Sequence, residues 1–193
     1  MAEFFFNEKK FELLEGVYTP AEDSFLLAEA VKVKEGWNCL DMGTGSGIQT
    51  VNMLLQGASV VATDMNEKAL ENVKLNAEKI GLGKQLEARK SDLFEKVPEK
   101  FDCIAFNPPY VHGSRKDWKD TDGGIKGREI LDRFIDGLEE HLKENGIAFF
   151  LQSSLNGEEK TKEKLQEKEL GFEAAAKKKL FFEELVVFKC WKK

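Results

Sequence analysis

The sequence predicts an α/β fold: a mostly parallel sheet of seven strands, helices on both faces, and one antiparallel strand near the C-terminus. Three observations lead there. Strand and helix patterns alternate through the middle of the chain, as in a parallel sheet covered on both sides. Three successive strand patterns each close on an aspartate. Two strand patterns close the chain with no helix between them, so one of the pair must run antiparallel.

Taken in order, Thr19-Pro20-Ala21-Glu22 reads as a helix start, with Thr as cap, Pro at the first helical position and Glu completing a capping box. An apolar-rich helix follows to about residue 34. Residues 38–42 form a short strand that ends in Gly43-Thr44-Gly45-Ser46-Gly47, and residues 48–56 are helical. A second strand covers 59–63 and ends at Asp64. An amphipathic helix spans 66–80, with Leu70, Val73, Ala77 and Ile80 on one face and Gly81 as its stop. A third strand covers 85–91 and ends at Asp92; a fourth covers 101–106. A glycine-rich loop, 120–127, precedes a helix over about 128–143. A fifth strand at 146–152, a charged helix at 158–170, and strands at 172–180 and 184–191 complete the chain.

At 193 residues the chain is expected to be one domain. Residues 1–35 are its N-terminal extension and capping helix, and 36–193 its core. No apolar run reaches the roughly 18 to 20 residues that cross a bilayer. The first residues carry an acid and an apolar run of only three, unlike a signal peptide, and the expected compartment is the cytoplasm. Cys39, Cys103 and Cys190 are odd in number and lack metal-ligand spacing, so no metal site is expected. His112 lies two residues past the most informative motif, but an ordinary loop histidine is the better reading. A net charge of −6 and a pI of about 5.2 weigh against a duplex-DNA reader.

That motif is Asn107-Pro108-Pro109-Tyr110, at the C-terminal end of the fourth strand, where open α/β sheets place their chemistry. Two prolines fix φ and remove two backbone donors. The rigid turn presents the Asn107 side-chain oxygen and the Pro108 carbonyl as acceptors, with Tyr110 beside them. Such a turn grips a planar NH2 group by both hydrogens. It resembles the active-site motif of S-adenosylmethionine-dependent amino and amide methyltransferases.

The glycine loop fits neither register of the dinucleotide fingerprint GxGxxG, nor a Walker loop. Its pattern is GxGxG with Asp41 two residues ahead. An aspartate there suits an amino-acid ammonium and repels a pyrophosphate. Asp64 can accept both hydroxyls of a ribose. Asp92 is positioned to receive an adenine amino group, with Leu93 flanking the ring. Three acids in order, with the glycine loop at the first, resemble the seven-stranded class I methyltransferase pattern, a Rossmann-like fold. The sulfonium of such a cofactor already activates the methyl group, so the reaction needs no metal.

The likeness narrows further. Val17-Tyr18-Thr19-Pro20-Ala21-Glu22-Asp23-Ser24 resembles a segment of the HemK/PrmC family in its short archaeal and eukaryotic branch, the glutamine methyltransferases of peptide-chain release factors. The resemblance continues through Asp41 to Gly47, Asp64, Asp92-Leu93, Asn107 to Tyr110, Gly123-Gly124, Gly127-Arg128, Asp132-Arg133-Phe134 and Gln152 to Ser154. It implies that Ser24, Asp41, Gly43, Gly45, Gly47, Asp64, Asp92, Leu93 and Asn107 meet S-adenosyl-L-methionine. It implies that Asn107, Pro108, Pro109 and Tyr110 hold the substrate amide, and that S-adenosyl-L-homocysteine is the product. Glu22 has a sufficient explanation as a capping residue. The implied substrate is the glutamine of a GGQ motif in a release factor. An N6-adenine or other nucleic-acid amino group would fit the same grip, although the acidic pI and the lack of a target-recognition domain count against it. The resemblance further implies a small zinc-binding activator subunit. Phe4-Phe5-Phe6 either docks such a partner or packs under the N-terminal helix.

Overall fold

The computed structural model describes residues 2–109 and 128–193. Tyr110, His112 and the glycine-rich stretch 120–127 lie outside the described residues.

A seven-stranded sheet forms the centre, in the order β5-β4-β3-β6-β7-β9-β8. Its strands are β3 (Asn38–Met42), β4 (Ser59–Asp64), β5 (Leu86–Lys90), β6 (Phe101–Phe106), β7 (Leu142–Ser153), β8 (Leu170–Lys179) and β9 (Glu184–Lys192). β3 pairs in parallel with β4 and β6, β4 with β5, and β6 with β7. β9 runs antiparallel to both β7 and β8, so it is the one reversed strand. The order turns back at β3, whose C-terminal end therefore opens a crevice between diverging connections.

The period-two pleat divides the core. Leu40, Met42, Ile104, Phe106 and Phe150 point to one face and pack on α4 (Glu129–His141) and α5 (Glu158–Glu167). Cys39, Cys103, Ala105, Phe149 and Leu151 point to the other, under α1 (Glu22–Ala30), α2 (Ile48–Leu55) and α3 (Glu67–Lys79). All three cysteines are buried and unpaired, which agrees with a packing role for Cys39 and Cys103.

Two features depart from the sequence reading. The chain begins with a hairpin, β1 (Ala2–Phe6) and β2 (Lys9–Leu13), where no strand is predicted. Asn76 holds β2 like a neighbouring strand, accepting from Glu12 N and donating to Glu12 O, and Asn72 accepts from Leu14 N. Phe4 is buried and stacks on Phe11 in a cluster that includes Ala28 of α1, whereas Phe5 is exposed. The triplet thus packs beside the helix through Phe4. The capping box also does not form. α1 starts at Glu22 with Ala21 as an uncapped N-cap, so Glu22 is the first helical residue and not the third, and its side chain pairs with Lys178 of β8.

Candidate active site

The crevice at the end of β3 is a cavity of about 430 Å³. Ser24, Asp41, Gly43, Gly45, Asp64, Asp92, Leu93, Asn107, Pro108 and Pro109 all line it. The sheet brings together residues from five separate chain segments because every strand of the parallel half ends at this edge. Gly47 does not line the cavity. It caps α2 at φ +82°, and a Cβ there would meet Val73 Cγ2 at 2.9 Å. Its lack of a side chain lets α2 and α3 approach each other.

Gly43 and Gly45 also take positive φ, +60° and +48°, which side chains rarely adopt. The loop they shape is fastened by two carboxylates. Gly45 N donates to Asp64 Oδ2 at 2.9 Å, while Asn66 N donates to Oδ1 at 2.8 Å. Asp41 is fully buried and accepts from Thr44 Oγ1 at 2.7 Å, Thr50 Oγ1 at 2.6 Å and Thr50 N at 2.9 Å. Burial nevertheless dominates and pushes its carboxyl up to about 6, against those hydrogen bonds. Such a group gains most from a cation brought beside it.

Asp92, after β5, forms an ion pair with Arg133 of α4 at 2.9 Å. Leu93 beside it sits at φ +46°, uncommon for a branched side chain. The turn is tied by Ser91 Oγ, which donates to Leu93 O at 2.9 Å and accepts from Lys96 N at 3.0 Å.

At the opposite wall, Asn107 Nδ2 donates to Asp23 Oδ2 at 2.9 Å. Asp23, the second residue of α1, is buried and also accepts from Ser24 N at 2.7 Å and from the Tyr18 hydroxyl. Burial, and after it the Asp23 carboxylate, raise the Tyr18 phenol well above its ordinary range, keeping it a donor. Asn107 Oδ1 is buried and finds no hydrogen-bond donor among the described residues. The same is true of Gln49 Oε1, whose amide is held by its Nε2 on Ser24 O at 2.8 Å. Both oxygens belong to cavity-lining side chains.

Asp23 and Arg133 lie in segments that carry the family resemblance, which assigns neither of them a role, and Thr50 and Gln49 are not singled out by the sequence. Asp23 carries a faint signal, an acid on the face of α1 that also presents Leu26 and Leu27 to the core. Arg133 carries none beyond the resemblance, since its residue type on an amphipathic helix is ordinarily solvated.

Three acids, a glycine loop of positive φ and buried acceptors make a site for a polar, partly cationic ligand. Known proteins similar to this chain are methyltransferases. A model of the methyltransferase small domain family matches residues 10–182. A Methanocaldococcus jannaschii protein with the provisional name protein N5-glutamine methyltransferase is 42% identical over 95% of both chains. The Homo sapiens methyltransferase HEMK2 is 31% identical over 74% of each. Among solved structures, the E. cuniculi Mtq2–Trm112 complex, responsible for methylation of the translation termination factor eRF1, superposes with a TM-score of 0.74. Sequence identity there is 28%, over 92% of this chain and 99% of the other.

Proposed function

Because this chain belongs to the methyltransferase small domain family, we propose that it is an S-adenosylmethionine-dependent methyltransferase acting on the glutamine amide of a peptide-chain release factor. The N5-glutamine methyltransferase relative, alike along almost the whole chain, supports the substrate class. The observation that carries the chemistry is the Asn107 amide, whose Nδ2 is engaged and whose buried Oδ1 is not.

The cofactor's residues fit what the cavity offers. Asp41 would hold the ammonium, Asp64 the ribose hydroxyls, and Asp92 with Leu93 the adenine, all four residues lining the cavity. When bound, S-adenosyl-L-methionine supplies an electrophilic methyl group on sulfur. The remaining work falls to the turn after β6. An amide nitrogen is a poor nucleophile, because its lone pair is delocalised into the carbonyl. Deprotonating it first would be costly near neutral pH. Asn107 Oδ1 and the Pro108 carbonyl instead accept its two N–H bonds and hold the nitrogen in place. The polarity they add to those bonds develops with the positive charge on nitrogen, so the grip strengthens in the transition state. One proton leaves after transfer through the same contacts or to water. Positioning of this kind replaces a dedicated base.

The reaction belongs in the cytoplasm, where release factors act. Among the described residues no helix is long and apolar enough to cross a membrane. A small zinc-binding activator is the partner this reading adds. β5 lies at the sheet edge, where unpaired backbone groups invite strand addition.

The test is incubation with tritiated S-adenosylmethionine and a release factor, followed by mapping of the labelled residue. Label on the GGQ glutamine is expected. Label on another residue, or on nucleic acid with the factor untouched, would overturn the substrate.

A further inference from the structure

We propose that Asp23 is the positioning residue that fixes which way the Asn107 amide faces, and so decides that this site accepts hydrogen bonds from its substrate. The proposal rests on the reading of Asn107 as the substrate grip. It adds a residue on a different element, 84 positions away in the chain.

A primary amide has two ends of nearly equal size and opposite hydrogen-bonding sense. Sterics barely distinguish them, so a neighbour must. An ionised carboxylate accepts and cannot donate. Only the NH2 end of Asn107 can therefore face Asp23, at 2.9 Å, and the carbonyl end is turned the other way. Turned round, the amide would set its oxygen against the carboxylate, a repulsive contact in a site where Asp23 is only 3% exposed.

The carboxylate is itself held. Ser24 N donates to Oδ1 at 2.7 Å, and the Tyr18 hydroxyl donates to Oδ2 at 3.2 Å. Asp23 is thus fixed from its own helix and from the segment before it, and transmits that placement to the end of β6. The result is an acceptor, Asn107 Oδ1, buried without a donor among the described residues. An unmet buried acceptor is costly, and a substrate N–H relieves that cost. Asp23 thereby couples α1, which also carries Ser24 into the cavity, to the substrate grip.

The experiment compares Asp23→Asn, Asn107→Ala and the double variant, each checked for folding by thermal unfolding. An asparagine at 23 accepts or donates, so the Asn107 amide loses its single orientation. Turnover should fall about 10- to 100-fold, the range for losing a group that orients a direct ligand, with KM much less affected. In the double variant Asp23→Asn should add nothing to the loss from Asn107→Ala, since it acts through that side chain. Additive losses would overturn the proposal. A second readout needs no substrate. In ¹⁵N-asparagine-labelled protein the Asn107 side-chain amide signal, assigned by its absence from Asn107→Ala, should shift and exchange faster with water in Asp23→Asn. An unmoved signal would overturn the proposal even if no release factor proves to be methylated. A shifted signal would support it whatever the substrate. Asp23→Ser, which removes both carboxylate oxygens without adding an amide, takes the place of Asp23→Asn should the latter not fold, with the same expectations.

Discussion

Gly45 N and Asp64 Oδ2 lie 2.9 Å apart, so the loop that ends β3 is fastened to the end of β4 by one hydrogen bond. The same carboxylate takes Asn66 N at the entry to α3. Asp64 thus shapes the loop and also lines the cavity, where the proposed function gives it the ribose hydroxyls. Asp64→Ala should weaken S-adenosylmethionine binding by roughly 1.5–3 kcal/mol, the value of hydrogen bonds to a charged group. Calorimetry on the folded variant measures it, and an unchanged affinity would remove Asp64 from the cofactor site.

Asn107→Ala separates substrate grip from cofactor binding. Loss of a preorganised polar contact to the reacting group costs about 100-fold or more in turnover. Cofactor affinity should fall far less, since the three acids and the glycine loop remain. Full activity of the variant in the tritium assay would refute the assignment.

Much of this architecture was legible because it repeats along the chain. β3, β4 and β6 are short, largely apolar runs, and Asp41, Asp64, Asp92 and Asn107 announce themselves at or just past strand ends. The hairpin β1–β2 was not legible for a physical reason. Its second strand is satisfied by the side chains of Asn72 and Asn76, which sit far away in sequence on a helix recognised only by its apolar stripe. Glu22 misled because the helix begins at Glu22 itself, past the start that a Thr19 cap implies, so its side chain cannot close a capping box and meets Lys178 instead. The contacts of Asp23 and Arg133, both inside motifs that carry the resemblance, were not legible for the same reason. Their meaning lies in partners 84 and 41 positions away.

Asp41 gives the protein a signature in pH. Its folded pKa of about 6 lies above the value of about 3.9 expected in the unfolded chain. The folded state then binds more protons than the unfolded state between those values, so this group makes stability fall as pH rises from about 4 to 6. Ligand binding runs the other way. A cationic ammonium beside Asp41 favours its ionised form, so S-adenosylmethionine affinity should decline as pH drops below about 6. Titration calorimetry between pH 5 and 8 should show this decline in the native chain and lose most of it in Asp41→Asn. An equally steep decline in both would remove Asp41 as the counter-ion.

The activator prediction turns on the exposed edge of β5. The chain purified alone is expected to be less soluble and less active towards a release factor than the chain with a small zinc-binding partner. A soluble, monodisperse and fully active lone chain, unchanged on adding the partner, would exclude an obligatory subunit and leave the methyltransferase reading intact.

Gly47 tests whether the third glycine of the loop serves packing rather than the cofactor directly. At φ +82° an alanine is strained by roughly 1–2 kcal/mol. Its Cβ would also stand 2.9 Å from Val73 Cγ2, in a helix contact that is fully buried. Overpacking of this kind costs about 1–3 kcal/mol, so Gly47→Ala should be destabilised by about 2–5 kcal/mol in denaturant unfolding. The two contributions come apart by experiment. Adding Val73→Ala clears the space beside residue 47 but leaves the backbone strain and opens a cavity of its own. The paired change should therefore cost less than the sum of the single changes. Strict additivity would mean that the two side chains do not meet. Cofactor binding in a folded Gly47→Ala variant should weaken only as far as α2, which carries Thr50 to Asp41, is displaced. A variant that unfolds normally yet binds no cofactor would instead place Gly47 in direct contact with it.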